Sequence, residues 1–101
     1  MAKWADWLIS AVRYDEDHSR IVKVRAHPDK GDTVGPGEEQ TRATVVSNIE
    51  SGKTYCTMLK GDDGKWKRGE DVRVIRIEGE KFIRTDANRI RRDNLGELPE
   101  F

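Results

Sequence analysis

The sequence predicts an α+β domain. An antiparallel sheet of about five strands carries one helix packed on one face, in the order β-β-α-β-(β)-β-β. Three observations predict it. Only one stretch, TRATVVSNIESG from Thr41 to Gly52, has helical signals. The stretches on either side alternate apolar and polar residues, or cluster Val, Ile and aromatics, as strands do. The helix spans about three turns, too short to be stable alone in water, so it must lie on the sheet.

Trp7 to Tyr14, WLISAVRY, is rich in strand formers. Strict alternation puts Leu8, Ser10, Val12 and Tyr14 on one face and Trp7, Ile9, Ala11 and Arg13 on the other. Both faces are apolar, as in a strand covered on both sides. The polar run from Asp15 to Arg20 is a loop. IVKVRAH, Ile21 to His27, turns Val22, Val24 and Ala26 one way and Lys23, Arg25 and His27 the other. The two strands form an antiparallel hairpin. Pro28 to Gln40 contains two prolines and three glycines and is a long loop.

Thr41 is the N-cap residue of the helix, its hydroxyl accepting from a free backbone N–H of the first turn. Ala43, Val45, Val46 and Ile49 make the apolar stripe that covers the sheet. Gly52 supplies the left-handed stop, and Glu38 and Glu39 lie just before the start, where the dipole favours negative charge. Lys53 to Lys60 is a third strand. Gly61-Asp62-Asp63-Gly64 is a turn. Lys65 to Arg68 is a short strand ended by Gly69-Glu70-Asp71. Val72 to Ile77 is the fourth clear strand, with a bulge or two-sided burial at Val74 and Ile75. Lys81 to Thr85 returns the chain. After Asp86 the pattern stops, and the tail 86–101 either packs through Leu95, Leu98 and Phe101 or frays.

The 101 residues suit one domain, 1–101, burying about two-thirds of its unfolded-chain surface. At 35% hydrophobic and 38% charged the chain is polar, but three Trp, two Tyr and two Phe argue against disorder. Formal net charge is zero, unlike the basic stripe of a dedicated DNA binder. Cys56 is the one cysteine, so no internal disulfide forms. It stands in an apolar strand as a packing residue. No signal peptide or run of about 20 apolar residues occurs, and the expected setting is the reducing cytoplasm, off the membrane.

Several segments together resemble one family. They are WADWLISAVRYD, the I-V-K-V strand, T-R-x-x-V-V-x-x-I-E-x-G-K-T, G-E-D-V-R-V-I, F-I-R-T-D and D-N-L-G-E-L-P-E-F. The chain is similar to the small bacterial proteins grouped as domain of unknown function 3892. The resemblance spans essentially the whole chain. It implies a compact stand-alone domain and carries over no catalytic residue.

The residues themselves point away from catalysis. His18 and His27 are the only histidines, and no close ligand pair announces a zinc site. Asp15, Asp17 and His18 form a solvated acidic turn. An enzyme, such as a small hydrolase, would need His18, His27 and Cys56 to converge through the fold. No G-x-G-x-x-G occurs. Gly35-Pro36-Gly37 does precede the helix, but Glu38 and Glu39 would repel an anion there. The expectation is a non-enzymatic binding module with no cofactor and no metal, acting on a protein or small-ligand partner. The alternative is a nucleic-acid or nucleotide binder. Its sheet face would use Trp66 with Lys65, Lys67, Arg68, Arg73, Arg76 and Arg84, the cations on phosphates and the indole stacked on a base. Acids near every basic run support a solvated face instead. Exposed strand edges allow a homodimer by sheet extension.

Overall fold

The computed structural model describes residues 4–17, 20–31, 33–85, 95 and 98–101. The chain runs β1 (Trp7–Tyr14), β2 (Ile21–Pro28), β3 (Glu38–Thr41), α1 (Arg42–Glu50), β4 (Tyr55–Lys60), β5 (Trp66–Ile77) and β6 (Glu80–Arg84). These strands make one sheet in the order β3-β2-β1-β4-β5-β6. The α+β class holds, but the sheet has six strands and is mixed, where five antiparallel strands were expected. Two features cause the difference. Residues expected to close the loop 28–40 form β3, an edge strand paired antiparallel to Lys23–Ala26. Its EEQT sequence shows no apolar alternation because only Gln40 points inward. The chain then crosses through α1 to β4, which lies parallel to β1, Trp7–Ile9 against Tyr55–Thr57. A strand reached by a helical crossover enters parallel.

Three register shifts decide which residues face the helix. In β1, Ile9 pairs with Ala26 and Ala11 with Arg25, leaving Ser10 extra. Strict alternation fails there. Trp7, Ile9, Val12 and Tyr14 all join the core beneath α1, while Leu8 belongs to the opposite face. A second irregularity, between Arg13 and Tyr14, leaves Val22 out of the register. It is 43% exposed rather than inside. In β5, Gly69 does not end a strand: Trp66–Arg68 and Val72–Ile77 are parts of one element, with Lys65 just before it. Cys56 lies opposite Asp71 and Met58 opposite Arg68, so Thr57 alone faces Gly69 and Glu70. The Glu70 N–H donates to Thr57 Oγ1 at 3.0 Å. A Cβ on Gly69 would collide with the Thr57 hydroxyl and come 3.0 Å from its carbonyl oxygen.

The helix is capped as its sequence requires. The Thr44 N–H donates to Thr41 Oγ1 at 3.2 Å, and Gly52 has φ +105°. Val45 and Val46 are buried and Ile49 packs against them. Ala43, expected in the stripe, is exposed. The i, i+3, i+4, i+7 set is Arg42, Val45, Val46 and Ile49, and the Arg42 guanidinium donates to the Lys81 carbonyl on β6. Glu38 and Glu39 lie in β3, outside the first helical turn.

One core lies between helix and sheet, centred on Ile9, Val24, Val45, Tyr55 and Ile83 and joined by Leu95 and Leu98. A smaller cluster on the other face contains Leu8, Cys56 and Met58, flanked by Trp4, Val34 and Trp66. The tail is therefore packed at Leu95 and Leu98. Its last residues run beside β1. The Val12 N–H donates to Pro99 O at 2.9 Å, and the Phe101 N–H donates to Val12 O at 3.1 Å. They fill the wedge that opens where β4 leaves β1 after Ile9.

One side chain ties the layers together. The Tyr55 hydroxyl donates to Gln40 Oε1 at 2.6 Å and accepts from Asn48 Nδ2 at 2.9 Å, joining β4 to β3 and α1. Tyr55→Phe leaves the buried Gln40 oxygen without that donor. It should cost about 1–3 kcal/mol in urea unfolding with an unchanged m-value.

Candidate binding cleft at a strand edge

β5 is twelve residues long and its neighbours do not cover it evenly. β4 pairs with it only as far as Val72, opposite Tyr55. β6 pairs with Arg73–Ile77 on the other side. Among the described residues, no strand pairs with Arg73–Ile77 on the side that β4 vacates.

A cleft of about 760 Å³ runs along this vacated side. From the helix-bearing face of the sheet it is lined by Ile49, Glu50, Val72, Val74 and Arg76. From the opposite face come Trp4, Arg68, Asp71 and Arg73, and the α1–β4 connection closes one end with Lys53 and Thr54. Consecutive residues of a strand point to opposite faces. A cleft lined by Asp71, Val72, Arg73 and Val74 in succession therefore follows the edge of the strand.

The wall bearing Trp4 is held by carboxylates. Asp29 is buried, and its Oδ2 accepts from the Trp4 N–H at 2.7 Å while Oδ1 accepts from the Gly31 N–H at 2.8 Å. Asp6 and Thr54 exchange bonds: the Asp6 N–H donates to Thr54 Oγ1 at 3.0 Å, and the Thr54 N–H to Asp6 Oδ2 at 2.9 Å. These bonds fix the segment before β1 against the start of β4.

Four cations and two acids line the cleft. Arg68 pairs with Asp71, three residues on. Glu50 takes Lys81 at 2.9 Å and Arg76 at 3.4 Å. The Lys81 hydrogen bond holds the Glu50 carboxyl below its ordinary range against desolvation, with a smaller contribution from Arg76. Lys53 and Arg73 are exposed and have no side-chain hydrogen bond or ion pair among the described residues.

The seven residues expected from the sequence divide. The bulge at Gly69–Glu70 turns Trp66, Arg68, Arg73 and Arg84 to one face, through their partners Lys60, Met58 and, for Arg73, Arg84 itself. Arg84 is 2% exposed and buried in the structure. Trp66 is half-buried, tilted on His27 at 5.9 Å with the Lys60 ammonium 5.3 Å from its ring. It lines a separate cavity of about 270 Å³ beside Phe101. Lys65 lies in the turn before β5, Lys67 is exposed, and Arg76 shares the helix face with Val74. Arg68, Arg73 and Arg76 reach the cleft; Trp66, Lys65, Lys67 and Arg84 do not line it. Sequence reasoning missed Lys53 and had no reason to prefer Trp4 to the other tryptophans. The signal for Trp4 lay in Asp6 and Asp29, whose short side chains bind backbone N–H groups.

Of the residues a catalytic reading would need, His18 lies outside the described residues. His27 Nδ1 is 3.0 Å from Gly35 O and Nε2 2.8 Å from Ser10 Oγ. A protonated Nδ1 donating to the carbonyl leaves Nε2 to accept the serine O–H. His27 and Cys56 both register with Leu8, from opposite sides. That places them about 10 Å apart, two strand spacings. Among the described residues no group of three or more His, Cys, Asp and Glu is placed to hold a metal ion. No described helix is long and apolar enough to cross a membrane.

Burial pushes the Cys56 thiol up to about 11, with Arg68 pulling it down and Asp71 pushing it up. A free thiol in an unfolded chain ionises near pH 8.5. The unfolded state therefore loses its proton first. This contribution to stability is complete below about pH 8.5 and is lost as pH rises toward 11. The midpoint of urea unfolding should fall between pH 8 and 10.5, and Cys56→Ala should flatten that fall. At pH 8, iodoacetamide should label Cys56 only as fast as the protein opens.

Comparison with known families matches residues 8–99 to the family described as "Protein of unknown function (DUF3892)". No curated protein and no solved structure matches the chain.

Proposed function

We propose that this chain, which belongs to the DUF3892 family, is a cytoplasmic, non-enzymatic binding module that takes an anionic partner in the cleft beside β5. The observation that carries the reading is the pair of exposed cations, Lys53 and Arg73, which have no side-chain partner among the described residues and face a cleft that also contains Trp4 and two ion-paired arginines. An anion entering there meets two cations whose charge no acid among the described residues neutralises. Arg68 and Arg76 can exchange their carboxylate partners for it. Trp4 and Val74 add apolar contact area. The cleft also sets the module apart from its overall neutrality: net charge is zero, and the four cations there exceed the two acids. A single buried thiol suits a reducing compartment.

The test is a titration followed by Trp fluorescence, with an acidic peptide and a single-stranded oligonucleotide as separate probes. At least one should bind, more weakly as salt rises past 0.1 M, where the screening length falls to about 10 Å. Lys53→Glu with Arg73→Glu should weaken it about tenfold or more, since each reversal replaces attraction by repulsion. Both sites are exposed, so stability should stay within about 0.5 kcal/mol. A flat titration with every anionic probe at low salt would remove the proposal. Binding of the oligonucleotide alone would assign the cleft to nucleic acid.

A further inference from the structure

We infer that the occupant of the cleft is an extended acidic peptide segment that adds to β5 as an extra strand at Arg73–Ile77. The inference rests on the binding reading above and names its partner. The argument begins with the edge. Residues Arg73–Ile77 pair with β6 on one side, and among the described residues no strand pairs with them on the other. Alternate N–H and C=O groups of a strand point to each side. An extended backbone is the ligand whose own donors and acceptors repeat at the same spacing.

The cleft has the shape that such a ligand needs. It follows the strand edge, with walls contributed by both faces of the sheet. A peptide lying in it would project alternate side chains to the two walls. One wall offers Arg73, Arg68 and Trp4; the other offers Val74 and Ile49. The complementary peptide therefore alternates acidic with β-branched apolar residues. Five residues of strand span about 17 Å, so a segment of five or six residues fills the site. Lys53 lies at the end of the cleft where β4 begins, placed to meet a further acid or a peptide C-terminus. Nucleic acid lacks the repeating amide donors that the edge would engage.

The experiment uses the full chain and four fluorescein-labelled eight-residue peptides. One alternates Glu and Val. The second has the same composition in two blocks, and the third and fourth are the alternating peptide N-methylated at every second residue, one in each register. Anisotropy measures affinity, and hydrogen exchange measures protection of the Arg73–Ile77 amides. The alternating peptide should bind at least tenfold tighter than the block peptide. N-methylation in one register only should weaken it tenfold or more, because the other register directs its N–H groups to solvent. Exchange at alternate amides of Arg73–Ile77 should slow on binding, and Arg73→Glu should abolish the effect without changing exchange elsewhere. If the four peptides bind alike and the edge amides exchange unchanged, strand addition is wrong while the anionic cleft survives. If no peptide binds and Arg73→Glu changes nothing, the binding reading fails with it. If sedimentation shows that a second copy of the chain gives the same protection without peptide, the partner named here is wrong.

Discussion

The Tyr55 phenol is the constraint on which the architecture rests. A nine-residue helix has little stability of its own, and this one must be held above a sheet whose nearest strands are far apart in sequence. Tyr55 begins β4 and stacks on Trp7 of β1, ring centroids 6.4 Å apart. Its hydroxyl then reaches Asn48 on α1 and Gln40 on β3. One side chain thus fixes the crossover at both its start and its finish. Burial raises the phenol's pKa, moderated by the Asn48 bond and reinforced by Glu38. It stays a neutral donor across the physiological range.

What this arrangement leaves uncovered follows from it. Because β4 enters at the level of Trp7, its register against β5 starts at Val72. β5 continues five residues further and, among the described residues, pairs with β6 on one side only. The cleft is therefore a by-product of strands that start at different heights. Glu50 at the end of the helix holds both Lys81 of β6 and Arg76 of β5, keeping the overhang close to α1. On the same strand β6, Glu80 takes Arg20 at 3.3 Å, and Arg20 also lies over the Phe82 ring. These contacts tie the residue before β2 to β6.

Much of the fold was legible locally. Thr41 and Gly52 marked the helix ends because their roles need only a hydroxyl and a positive φ. The hairpin of β1 and β2 followed from alternation over short distances. The remainder depended on partners distant in sequence. β3 reads as loop because it is a polar edge, stabilised by β2 rather than by its own propensities. Ser10 gives no sign that it is the extra residue in β1, yet that one residue reverses the faces of everything after it. The candidate site was legible in type but not in place. An arginine-rich strand was visible, but the bulge that brings Arg68 and Arg73 to one face arises where Gly69 meets Thr57, a contact between elements. Arg84 looked like a surface cation because its burial is tertiary.

The pairing of Val12 with Glu100 has a consequence for how the chain reaches this state. The Arg13 guanidinium meets the Phe101 carbonyl across 88 positions, and Arg13 and Arg25 both lie over the Phe101 ring. The second half of β1 has β2 on one side and this terminal segment on the other. During synthesis on the ribosome, the hairpin and helix can form early, but that flank of β1 stays open until Pro99–Phe101 have left the exit tunnel. The slowest loop to close is thus nearly the whole chain, and closing it costs entropy before any contact repays it. A nascent chain stalled short of Pro99 would expose the flank of β1 that Pro99–Phe101 cover.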